Sequence, residues 1–413
     1  MASREAVSVF AEGTFQEHLA DLTAYAAQSQ PEADSAAFSQ KYTDLLQAQG
    51  EQIESDQEKQ RTVFSAFVKD VSSLGSGTTP EIEGFFNLVS CYLFALYPAD
   101  QDARPHLDHI LRVVSESPAQ KKLIKHRVLS NLFTVISPRS SLRLPVYKAL
   151  LALAIEDGTL DNLRPSPLEA EKRLSEWGIS EEDKQKLLKA ISEAYVQTSQ
   201  PDLSYQFLLS YARSIPLSSS DAQRAGTDAV VAALRLPSNF DFDPLLKLDP
   251  VVALKGTPLF SLLEIFLNSG LTEYRTWASA NASVLEEHNL DGTQLERKIR
   301  LLTLASLAFT HIGKEVLYSQ LATALQVESN QVERWFIDAI RAGLVSGKLS
   351  QTSQSARVSR ATARVFEREQ WETLEKRLVA WKTGLAGVLE VVAVARRQGS
   401  IGHNSAQAQT VAA

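Results

Sequence analysis

Two histidines three residues apart, His106 and His109 in the stretch HLDH, with Asp102 and Asp108 beside them, are the nearest this chain comes to a reactive constellation. Such a pair could share one metal ion, but a zinc site needs four ligands, or three and an open position. Cys91 is the only cysteine and lies elsewhere, and no further ligand cluster completes the set. The histidines are read as surface or capping residues. GSG at Gly75 to Gly77 and HIGKE at His311 to Glu315 fail as phosphate cradles, because neither combines several glycines with Lys-Ser or Lys-Thr ahead of a helix. In Ser180-Glu181-Glu182-Asp183 a hydroxyl cap and negative charge at a helix amino terminus explain the residues better than acid–base work does. No catalytic residue, cofactor, metal or small-molecule substrate is expected.

What remains is the chemistry of recognition. Between Lys298 and Phe366 nine basic residues face four acidic ones, a surplus of five in a chain of formal charge −7, which leaves −12 for the remainder. Lys348, Arg357, Arg360 and Arg364 are the candidate contacts to RNA or a partner, since such a cluster could neutralise phosphates. A base-reading helix presents Arg, Lys, Asn or Gln outward, whereas the neighbouring helix offers Glu333 and Asp338 against Arg334 and Arg341. Sequence-specific DNA binding is therefore not expected, and direct RNA contact would be weak.

The other recognition feature is apolar. Trp371, Leu374, Leu378, Trp381, Leu385, Val388 and Val392 alternate steps of three and four, an a/d seam that calls for another helix. Its first heptad could fold back onto its own chain. Beyond Trp381, Gly384 and Gly387 each lower helicity by roughly 1 kcal/mol relative to Ala, so that part should need a partner.

The elements that must carry these residues are helical. Segments of helix length, punctuated by Pro, Gly and Ser, run through the first half without strand alternation, suiting stacked pairs of an irregular α-solenoid. From Gln294 the order becomes helix, strand (EVLY), helix, helix, strand (LVSGKLSQ), strand (ARVSRATARVF), which is that of a winged helix. In its third helix Val332, Phe336, Ile340 and Leu344 fall on one stripe expected to be buried, with Ser329 or Asn330 as the cap. The apolar run from Phe85 to Pro98 is shorter than the roughly 20 residues that span a bilayer and reads as a buried helix. One cysteine and no secretory pattern at the amino terminus point to a reducing compartment, with no membrane anchor expected.

A helical array feeding a winged helix, with VERWFIDAIRAGLVSGKLSQ at the junction of third helix and wing, resembles the PCI domain shared by the proteasome lid, the signalosome and translation initiation factor 3. FDPLLKLDPVVALKG, KIRLLTLASLAF and FEREQWETLEKRLVAWKTGL are most similar to the pattern of the initiation factor's subunit m family. The resemblance implies a non-catalytic scaffold in the cytoplasm, with PCI and MPN subunits and the small ribosomal subunit as partners and the terminal helix in a bundle. A PCI subunit of the signalosome or lid, and a free nucleic-acid-binding winged helix, stay open as alternatives. The expected organisation is an all-α dominated fold: a solenoid over 1–200, a PCI domain over 201–370 with its winged helix from about 294, a bundle helix over 371–395 and a disordered tail over 396–413.

Overall fold

The computed structural model describes residues 13–410 apart from 29–31, 50, 119–120, 161–162, 164–165, 218 and 365–367. Two compact units divide the chain, residues 1–225 and 226–413.

In the first unit short polar caps start the helices and aromatic side chains fill the space between them. The helices are α1 (Phe15–Ala27), α2 (Glu32–Gln49), α3 (Gln57–Asp70), α4 (Thr79–Leu96), α5 (Asp100–Glu116), α6 (Lys122–Val135), α7 (Arg143–Glu156), α8 (Pro167–Glu176), α9 (Glu181–Gln197) and α10 (Pro201–Ser214). Thr14 closes a capping box with Glu17, and Asp56, Ser166 and Ser180 accept hydrogen bonds from the first-turn amides of α3, α8 and α9. Neighbours pack in sequence, as α1 on α2, α6 on α7 and α9 on α10, and also one element apart, as α3 on α5, α4 on α6, α5 on α7 and α7 on α9, the pattern of stacked pairs. The apolar run expected to be a buried helix is α4, whose Ile82, Phe86 and Leu93 lie in the core beside Phe64 and Phe67.

The unit boundary falls past residue 200, near which the solenoid was expected to end, for a packing reason. Across α9 and α10 Tyr195 stacks on Phe207 at 5.5 Å, and the buried hydroxyls of Ser192 and Ser204 bond each other and each other's backbone carbonyls. A break near 200 would split that hairpin.

In the second unit α11 (Ala222–Arg235), which begins just before the boundary, leads to α12 (Asp243–Leu246) and α13 (Asp249–Val252), two single turns each begun by Asp-Pro. Between Phe242 and Leu254 every third residue, including Leu245, Leu248 and Val251, is buried. There follow α14 (Pro258–Asn268), α15 (Leu271–Ala280), α16 (Ala282–Glu287) and α17 (Gly292–Thr310). The winged helix is α17, β1 (Glu315–Leu317), α18 (Tyr318–Leu325), α19 (Val332–Arg341), β2 (Val345–Ser350) and β3 (Ser355–Ala361), as its sequence order implies. The sheet is antiparallel in the order β1-β3-β2.

Two glycines set the junction of helix and wing. Gly343 (φ +73°) ends α19 in the left-handed region, where the Leu344 amide bonds the Ala339 carbonyl and the Gly343 amide that of Ile340, a Schellman stop. Gly347 follows a bulge, and a Cβ there would collide with the carbonyl of Arg357 and crowd the Phe336 ring. Phe336, fully buried, therefore packs beneath the sheet.

Ile340, expected in the core, is instead 38% exposed. Steps of four overshoot the 3.6-residue turn by about 40° each, so the stripe drifts, and the inward positions are Val332, Phe336 and Ala339. The cap also differs: Ser329–Gln331 forms a 3₁₀ turn, and the Asn330 amide binds Glu328 rather than the first turn of α19. Finally α20 (Arg368–Thr410) runs past the end expected at 395, so the segment expected to be a disordered tail is helical to Thr410.

Phe336→Ala should cost about 3–5 kcal/mol and lower the melting temperature markedly, whereas Ile340→Ala should cost well under half of that. Thermal denaturation of the two variants side by side checks the revised face of α19.

Candidate interaction surfaces

α20 carries the clearest unsatisfied surface. Every side chain described between Trp371 and Arg396 is exposed, including the seven seam residues. Trp371, Leu374 and Leu378 are 61%, 37% and 53% exposed, so the first heptad is shielded in part at Leu374 and stands more open at Trp371 and Leu378. A contact to the winged helix is made by Arg377, whose guanidinium sits 6.0 Å from the centre of the Phe309 ring on α17. Val379, Leu389, Val391 and Val394 lie off the seam and are exposed as well. Seam counting missed them, yet Leu389, Val391 and Val394 were visible as a rise in apolar density after Leu385, where nearly every position is Ala, Val, Leu or Gly. From Leu385 onward the helix is apolar on almost all sides, the pattern of a helix enclosed by others.

The stretch Leu374–Arg396 is also long and apolar enough to cross a membrane by length and composition. Lys382 and Glu390 stand within it. Each would cost about 2–4 kcal/mol near a bilayer centre, whereas both are tolerated at the rim of a helical bundle.

The basic surplus of the winged helix is smaller at the surface than in the sequence. Lys298 is buried, its ammonium bonding the carbonyls of Ala233 (2.8 Å) and Leu234 (3.2 Å) at the end of α11. Burial pushes its pKa from the usual 10.5 to about 7. Arg300 pairs with Glu296 at 2.9 Å and lies over Trp335.

Arg364, expected in the second wing strand, lies beyond it. Its guanidinium turns inward to the carbonyls of Leu302 and Ser269, and burial lowers its pKa to about 10, so it stays charged at neutral pH. A guanidinium that ties α17 to the end of α14 is not presented to RNA. The strand ends at Ala361, where the register with Val345 closes. Sequence alternation gave no sign of that end.

Lys348, Arg357 and Arg360 do lie on the exposed wing. Arg357 faces Lys348 across one strand pair and Glu315 across the other, so an acid shares their row. That leaves a modest, diluted positive face.

The remaining candidates for chemistry are packing residues. His109 Nε2 lies 2.9 Å from the Val71 carbonyl. The His106 ring packs against Tyr97 at 4.8 Å, and burial, with Lys69 and His109 nearby, lowers its pKa. Among the described residues no group of His, Cys, Asp and Glu is arranged to hold a metal ion. Ser180 caps α9, and Cys91 is exposed on α4.

With this geometry in place, comparison with known proteins is decisive. The PCI domain model matches residues 279–360, and the model described as the C-terminal helix of eIF3 subunit M matches 364–392, which spans all seven seam residues. Eukaryotic translation initiation factor 3 subunit M of Phaeosphaeria nodorum is 33% identical over 374 residues, covering 86% of this chain and 85% of the relative. The subunit M proteins of Aspergillus oryzae (31%, 94% and 86% covered) and Emericella nidulans (32%, 92% and 88%) are similar over nearly the whole length. The chain belongs to the eukaryotic translation initiation factor 3 subunit M family. The similarity thus reaches well into the first unit, where the sequence motifs pointed only to helical character.

Two outcomes follow from these placements. Arg364→Ala should lower stability by about 1–3 kcal/mol, because two carbonyls lose a charged donor, and Arg357→Ala with Arg360→Ala should leave melting unchanged and RNA retention nearly so. Between pH 7 and about 10 the unfolded chain holds a proton on Lys298 that the folded chain sheds, so that group makes stability rise with pH over this window. Lys298→Met should flatten that rise in a series of denaturant titrations.

Proposed function

We propose that this chain is a non-catalytic scaffold subunit of translation initiation factor 3, holding PCI and MPN subunits together in the cytoplasm so that the complex can act on the small ribosomal subunit. The observation that carries this reading is α20: a helix whose described apolar side chains from Leu378 to Val394 are exposed, over the stretch that matches the family's C-terminal helix. Burying a Leu, Val or Trp side chain is worth about 1.5–3 kcal/mol, so seven such residues supply ample energy to hold a subunit in a helical bundle. Initiation would be supported through architecture, with direct RNA contact weak because the wing face is diluted by Glu315.

Leu385→Asp with Val388→Asp tests it. Both residues are exposed in the free chain, so the variant should stay soluble and melt normally while no longer co-purifying with other subunits. Unfolding of the variant would show that the seam packs within the chain. Retained co-purification would place assembly on the winged helix alone, and recovery of the wild-type chain in membranes would favour insertion of α20.

A further inference from the structure

The outer side of α19 is built for a contact that assembly through α20 does not use. Arg334, Ile337 and Arg341 lie along one stripe of this helix, and Ile337 is 42% exposed. Beside Arg341 a hollow of about 550 Å³ opens toward α17, with Phe240 and Leu301 as apolar lining and Arg297 and Arg341 as cations; Lys298 also lines it, but its ammonium is turned to the carbonyls of Ala233 and Leu234. Asp338 is the acid in this lining and serves two guanidiniums at once: Arg297 at 3.0 Å and Arg341 at 3.9 Å. The second distance is too long for a hydrogen bond, and the Arg341 side chain is 78% exposed. Its planar fork therefore has donors to offer, and a carboxylate from outside would meet them side-on.

We propose that this hollow and the adjoining Ile337 form a docking site for an acidic protein segment that carries an apolar anchor residue. Charge decides the first half of that description, since two guanidiniums share a single carboxylate and Arg334 adds another exposed positive charge on the adjoining stripe. The apolar wall and Ile337 decide the second. A nucleic-acid strand fits less well: phosphates prefer an unbroken cationic track, whereas Ile337 interrupts this one and Asp338 would face the backbone.

The probe is a short fluorescein-labelled peptide with glutamates flanking a central leucine, titrated into the full chain and read by anisotropy. Binding should be saturable, should weaken at least about tenfold in Arg297→Gln with Arg341→Gln, and should fall severalfold in Arg334→Gln with Ile337→Gln. The second variant changes only exposed side chains, so it keeps the test valid if the first disturbs Asp338 and the fold. Equal binding of the peptide with every glutamate replaced by glutamine would overturn the proposal, as would wild-type affinity in both variants. Displacement of the peptide by oligouridylate with tighter binding would assign the surface to nucleic acid instead. None of these results bears on α20, whose bundle role is tested separately.

Discussion

A helix that shows water apolar side chains over some six turns cannot be the end state of a folding chain. Its backbone is satisfied internally, but the hydrophobic term that stabilises most helices in proteins is missing until something covers it. α20 places this chain under that constraint: Trp381 and Leu389 are 66% and 67% exposed, and the winged helix that precedes them has closed its own core without using them. Gly384 and Gly387 weaken the helix further, and among the described residues nothing lies within 4 Å of where a Cβ would stand at either of them. Close approach by a partner helix is what such glycines permit. Weak intrinsic helicity and exposed apolar side chains together leave the helix without the burial that stabilises most helices.

The rest of the second unit is organised so that α20 begins from a fixed point, and α17 is the element that fixes it. Lys298 reaches from α17 to the last carbonyls of α11, Arg364 ties the α17 backbone and the end of α14 to the segment just before α20, and Glu296 joins Arg275 to Arg300. These are cations spent on carbonyls and carboxylates inside the unit. A winged helix that used them to hold nucleic acid would have to give up the bonds that hold it together.

This explains which parts could be read from the sequence. Element order, the wing and the seam follow from local periodicity and turn chemistry, which the chain states directly: Gly343 ends a helix because it takes a left-handed conformation, and Ser180 caps one because its hydroxyl reaches an amide. Whether a charge faces out depends on contacts far along the chain. Arg364 meets Ser269, Lys298 meets Ala233, and nothing near either residue announces it. The same limit misplaced Ile340, where a stripe of four-residue steps had to be extrapolated across more than two turns before its drift became visible. Off-seam residues such as Val391 and Val394 were overlooked for the opposite reason: a heptad template looks only for one face.

The distinction between a protein-binding and a nucleic-acid-binding winged helix therefore rests on the fate of individual cations rather than on their number. In linear count the module is strongly basic. In space Lys298 and Arg364 are inside, Arg300 is matched by Glu296, and Arg357 shares its row with Glu315. What α19 then presents is an isoleucine between two arginines, beside a carboxylate already shared. Such a surface offers a polyanion little that is continuous and offers a protein both an apolar contact and a place for a carboxylate. The winged helix has thus consumed much of its charge within its own fold, whereas α20 leaves apolar surface exposed.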